Sequence, residues 1–156
     1  MSVPSLFAAV LLLNTAMFAA PPVAAQAPAG FVTLPSKHGY AALVDRLKAS
    51  IETNKMGLVA QASASAGAAA RGVKIPGNAV LMVFRNDYAV RMLEASVPAG
   101  IEAPIRIYVT ENSNGTATLS YRTPSAVFAP YASATLDVLA RELDPIFDQI
   151  VRSAAQ

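Results

Sequence analysis

The sequence predicts an α+β fold: a two-layer α/β sandwich with a mostly antiparallel sheet of about five strands, helices on one face, and a C-terminal helical extension. Three observations carry that reading. Ala79–Phe84 (AVLMVF) is an unbroken apolar run of strand length. Two alternating segments, Ile105–Thr110 and Thr116–Arg122, flank the turn sequence Asn112-Ser113-Asn114-Gly115, so that pair is antiparallel. Leu136, Leu139, Leu143, Ile146, Phe147, Ile150 and Val151 form one apolar stripe at helical spacing.

The elements follow in chain order. Phe31–Leu34 is a short first strand that Pro35 should end. Tyr40–Asn54 is helical: Tyr40, Leu43, Val44, Leu47 and Ile51 share a face, and Asp45, Arg46, Lys48 and Glu52 cover the other. Gly57 suits a left-handed cap after it. Gly57–Ala62 can form a second strand. Ser63 or Ser65 can cap a small-residue helix, Ala66–Arg71, which Gly72 ends. Ala79–Phe84, apolar throughout, suits a buried central strand. Asn86 or Asp87 caps a helix to about Ala95, with Val90, Leu93 and Met92 turned inward. Pro98–Gly100 is a loop before the hairpin. Thr123-Pro124 breaks the sheet, and Pro145 inside the last stripe implies a restart capped by Asp144.

Composition narrows the class. The chain has 156 residues, is 54% apolar, and contains 11 Pro and 8 Gly, which fits neither a disordered nor a collagen-like polymer. It has no cysteine, which excludes disulfides, thiolate catalysis and zinc-thiolate sites. A formal charge of +2 without a clustered basic face gives no footing for nucleic acid.

Its 12 Lys/Arg and 10 Asp/Glu all lie at or after Lys37, so residues 1–36 carry no charged side chain. Leu6–Ala20 is nearly all apolar, Pro21-Pro22 stops it, and Val23-Ala24-Ala25 is a small-residue cleavage site. Residues 1–25 are therefore expected to be a signal peptide for export to the periplasm or beyond, with 26–30 as a tether. Cleavage would leave no membrane attachment. The competing reading is an uncleaved anchor, since no Lys or Arg precedes the apolar stretch.

No catalytic motif stands out. His38 is the one histidine, and Ser36, two residues away, is poorly placed as a nucleophile for it. The carboxylates show no metal-ligand spacing, so neither a metal nor a cofactor is expected. Arg85-Asn86-Asp87 follows the most apolar strand, and a helix start there could meet an anion. On the hairpin, Arg106 and Tyr108 share one face, as Ser120 and Arg122 do; such rows can bind a partner or pack across strands.

Several of these segments, in order, carry a resemblance. They are Ser36-Lys37-His38-Gly39 leading to Asp45-Arg46-Leu47, Ala66-Gly67-Ala68, Leu81-Met82-Val83-Phe84 with Asn86, and Met92-Leu93. Ala103-Pro104, Gly115 in the hairpin, and Ser120-Tyr121 with Pro124 complete the set. From about residue 31 to 128 the chain resembles the bacterial family known as domain of unknown function 302. The resemblance implies a two-layer α/β fold that commonly pairs as a homodimer, and no established activity. The chain departs from the family pattern at Gly39, often Ser, at Ser63-Ala64, often Asp-His, and at Arg85-Asn86-Asp87, often Gly-Asn-Pro. Residues 129–156 are then expected to be a helical extension packed on the core.

The functional expectation is an exported, non-enzymatic domain that binds a small anionic ligand or a partner. Its ligand would sit in a strand-end crevice bounded by His38, Arg85 and Asn86, with Tyr121. The alternative is a hydrolase or lyase with His38 as general base. A third reading has the C-terminal stripe docking a partner helix.

Overall fold

A computed structural model of the chain describes residues 27–156. The expected signal peptide lies outside these residues. Five strands form one antiparallel sheet: β1 (Phe31–Ser36), β2 (Gly57–Ala62), β3 (Asn78–Phe84), β4 (Ile105–Glu111) and β5 (Ala117–Arg122), in the order β1-β5-β4-β3-β2. The helices are α1 (Tyr40–Thr53), α2 (Ala64–Ala69), α3 (Asn86–Ala95), α4 (Pro124–Phe128) and α5 (Ala134–Ala155), with 3₁₀ turns at Val97–Glu102 and Ala129–Tyr131. The architecture is the expected two-layer α+β sandwich.

Alternation along the central strands places the core. Ala79, Leu81 and Val83 of β3, Ile105, Ile107 and Val109 of β4, and Ala117, Leu119 and Tyr121 of β5 are all buried against the helices. Their neighbours Val80, Met82, Arg106, Tyr108 and Ser120 point to the other side, which stays accessible. β3 is the internal strand its apolar run predicted. Its side chains are buried on one face and half-buried on the other, because the packing helices lie on a single side.

α5 crosses the covered face and pairs with α1. Leu136, Leu139, Leu143, Phe147, Ile150 and Val151 join the same core as the sheet. The end of α5 is held by polar contacts from the elements beneath it. Ser36 Oγ donates to the Ala155 carbonyl at 3.0 Å, Arg46 Nε to Ala154 at 2.9 Å, and Ser50 Oγ to Ile150 at 2.9 Å. Carbonyls of a final helical turn lack intrahelical donors. These bonds also account for Ser36 and Ser50, the buried polar residues of the described chain.

The expected restart at Pro145 is not seen. α5 runs through it as one 22-residue helix. A mid-helix proline costs about 3 kcal/mol, but each core side chain that α5 buries gains about 1.5–3 kcal/mol, and Pro145 itself faces solvent. Asp144 serves another helix: it accepts from Ser125 N at 2.9 Å and from Ser125 Oγ at the start of α4.

Other boundaries shift for identifiable reasons. Pro35 does not end β1, because β1 is an edge strand and tolerates a missing N–H. The left-handed residue after α1 is Lys55 (φ 57°), and Met56 N closes back onto Ile51 O at 3.0 Å. Gly57 instead opens β2, where a Cβ would stand 3.2 Å from the Phe84 carbonyl. α2 begins at Ala64, with Ser63 as its cap. In α3 the inward stripe is Tyr88, Met92 and Ala95, while Val90 and Leu93 face out. Both stripes have helical spacing; the former packs on the core, and an Arg91–Glu142 ion pair at 2.8 Å joins α3 to α5 beside it.

Candidate functional site

The expected crevice does not form. β1 and β3 are separated by β5 and β4, so they run in opposite directions. His38 follows the end of β1 and Arg85 follows the end of β3, which places them at opposite ends of the sheet, about 20 Å apart along the strands. Tyr121 points into the core, where its ring stacks on Phe147 at 6.3 Å. Burial, with Asp148 and Asp144 adding to it, raises its phenol above the ordinary tyrosine value.

Each residue of the expected set has local bonds of its own. Arg85 holds Asp87 through Nε at 2.7 Å and Nη2 at 3.0 Å, and lies over the Tyr88 ring at 4.2 Å. The same bonds keep the Asp87 carboxyl below its usual range. A carboxylate of this chain therefore already occupies Arg85 at the start of α3. Asn86 is exposed in the first turn of that helix. His38 is fixed by its backbone: its N–H donates to Ser36 Oγ at 3.1 Å, and its carbonyl accepts from Ala117 N at 2.9 Å. Its Nε2 is buried without a partner. Ser36 Oγ, the nearby hydroxyl, gives its proton to Ala155 O. Among the described residues no group of three or more His, Asp or Glu is placed to hold a metal ion.

The uncovered face of the sheet presents a different constellation. The register pairs Met82 with Arg106 and Phe31 with Arg122. One step beyond the Ile107–Tyr121 pair, Arg106 and Arg122 face each other across β4 and β5. The next row along runs Val80, Tyr108, Ser120 and Thr33. Two arginines thus stand opposite each other on one face, an arrangement that is destabilising without a counter-charge.

Neither arginine is ion-paired within the described residues. The ion pairs there are Lys48–Asp45, Arg85–Asp87, Arg91–Glu142 and Arg152–Asp148, and neither Arg106 nor Arg122 takes part in one. Arg122 Nη2 donates to the Ala126 carbonyl at 2.7 Å, which pins the guanidinium to α4. Its Nε is buried with no acceptor. An unsatisfied buried donor costs about 1–3 kcal/mol, and more when charged.

These residues line a groove of about 260 Å³ with Phe31, Val80, Tyr108 and Ser120 along it. Glu102 stands at one end, its carboxylate accepting from Tyr131 Oη at 3.1 Å. A second space, about 30 Å³ between Met92, Phe128 and Phe147, is a gap in core packing with room for little more than a water. That Arg106 shares a face with Tyr108, and Ser120 with Arg122, was legible from alternation. That they share the uncovered side, and lack carboxylate partners, was not.

Comparison with known proteins adds three findings. The family model described as "Domain of unknown function DUF302" matches residues 32–154, a span that includes α5. The fold is similar to the crystal structure of an uncharacterized conserved DUF302 protein from Bacillus stearothermophilus. That match has a TM-score of 0.72 at 18% identity and covers 81% of this chain and 98% of the other. Two curated proteins named fluoride-specific ion channel FluC 1, from Brucella suis biovar 1 and Brucella abortus biovar 1, are each 24% identical over 105 residues. These matches cover 67% of this chain but only 41% and 39% of the relatives. Among the described residues no helix is long and apolar enough to cross a membrane.

Proposed function

The chain belongs to the family described as domain of unknown function DUF302, and on that premise we propose that it is an exported, non-enzymatic binding domain that takes a small anion on the uncovered face of its sheet. The observation that carries this is the cross-strand pair Arg106 and Arg122, which has no carboxylate partner among the described residues. An arriving anion would relieve the repulsion between the two arginines and give the Arg122 guanidinium an acceptor beyond the Ala126 carbonyl. Tyr108 and Ser120, one row along, offer hydroxyl donors to the same ligand.

The proposal moves the ligand from the expected crevice to the sheet face. His38 as a general base for hydrolysis or elimination has no hydroxyl or carboxylate bonded to its ring to support it. Export belongs to the proposal through the charge-free, apolar Leu6–Ala20 stretch and the small-residue site at Ala25. Pairing of two copies belongs to it as well: β2 is a sheet edge whose six residues are all exposed, a surface that a second strand can extend.

Calorimetric titration with sodium acetate at low salt is the test, with fluoride, the ion in the Brucella proteins' names, as a comparison anion. Saturable acetate binding is expected, weakened about tenfold or more in Arg106→Gln and in Arg122→Gln, and retained in Arg85→Ala. Binding that survives both groove substitutions would remove the site. Mass spectrometry of exported material should show a chain starting at Gln26, and sedimentation should report its oligomeric state.

A further inference from the structure

Resting on that anion site, we propose that the ligand is an amphiphile: a free alkyl carboxylate whose headgroup sits between Arg106 and Arg122 and whose chain lies across β3 toward β2. Apolar side chains stand beside the arginines. On the uncovered face, Met82 pairs directly with Arg106, and Ala60 pairs with Met82. The parallel row is Val80 beside Tyr108, with Ala62 beside Val80. The face is therefore divided along the strand direction. Its β2–β3 half presents only apolar side chains in these two rows, and its β4–β5 half presents two cations and two hydroxyls.

Charge sets the headgroup. Arg106 and Arg122 contribute two positive charges to the groove, and Glu102 at its end contributes one negative. The local balance suits a monoanion. A planar carboxylate also matches the two-pronged geometry of a guanidinium. Glu102 is held by Tyr131 Oη.

Length sets the chain. From Arg106 to the β2 edge is two strand spacings, about 10 Å, which an extended chain of about eight carbons spans. Val80 and Met82 are part-exposed, and Ala60 and Ala62 are exposed. Burial of alkyl groups against them supplies the affinity that an exposed ion pair alone lacks.

The test is a titration of the exported chain with acetate, butanoate, hexanoate, octanoate and dodecanoate at low salt. Octanol serves as the uncharged control, and vesicles of anionic and zwitterionic lipid as the membrane control. Affinity is expected to rise about twofold to fourfold per added methylene, up to about eight carbons, and then to flatten. Octanol should bind far more weakly than octanoate. Met82→Gln should flatten the chain-length series, and Met82→Leu should keep it. Acetate binding with no chain-length dependence would overturn the amphiphile and leave the anion site standing. No binding of any carboxylate would remove both. Vesicle binding without octanoate binding would overturn the proposal in favour of a membrane surface. A dimer that octanoate does not displace from this face would overturn it in favour of a second copy.

Discussion

The two faces of the sheet are built from the same strands, and they differ in every respect that matters. On one, Leu81, Ile107 and Leu119 are at most 1% exposed beneath α1 and α5. On the other, one residue away along each strand, stand Val80 or Met82, Arg106 or Tyr108, and Ser120. Side chains of a strand alternate strictly, so a six-residue segment can serve the core and a ligand without compromise between them. The covered face needs shape and volume. The uncovered face tolerates like charges near each other, which a core could not, because water screens them.

The sharpest way to break this comparison is to make the same kind of truncation on both sides of β3. Leu81→Ala should cost about 2–5 kcal/mol in urea unfolding, and Met82→Ala less than about 1 kcal/mol. Equal losses would mean that something covers the second face in solution. A smaller effect of opposite sign is expected at Arg106. Arg106→Gln removes the opposed charge and should stabilise the ligand-free chain by about 0.2–1 kcal/mol at low salt, fading as salt is added. A stabilised variant that has lost anion binding would show that the cation pair is kept at the expense of the fold.

The smallest effect concerns pH and Tyr121, on the covered face. Its folded-state value is raised, so the fold favours the neutral phenol. That contribution is fully present below the ordinary tyrosine value of about 10 and is lost as pH rises through the raised one. Thermal unfolding followed from pH 8 to 11 should show a decline at the alkaline end that Tyr121→Phe reduces. An unchanged decline would assign it to other groups.

Much of the fold could be read from local pattern. The hairpin was legible because Asn112–Gly115 and the two alternating segments lie next to each other, and Gly115 takes the positive φ (82°) such a turn requires. β3 was legible as a strand from its apolar run, but not as a strand covered on one side. α3 was legible as a helix with Met92 inward, yet Val90 and Leu93 were misplaced, because three-residue and four-residue spacings both fit a helix face. Only a neighbouring helix separates such alternatives. Pro145 and Asp144 together imitated a helix start, and the role Asp144 takes instead depends on α4, about twenty residues back in the chain.

The sequence by itself determined the α+β class, the five strands, the absence of thiol chemistry, and the alternation that puts Arg106 with Tyr108 and Ser120 with Arg122. These depend on neighbours within a few residues, and local sterics and periodicity suffice to settle them. The tertiary structure alone decided the strand order, and with it the site. The order β1-β5-β4-β3-β2 sends His38 and Arg85 to opposite ends of the sheet and sets Arg106 beside Met82. Strand order comes from pairing between segments far apart in the chain. It is selected by how α1 and α5 bury a single shared face, which no local pattern records.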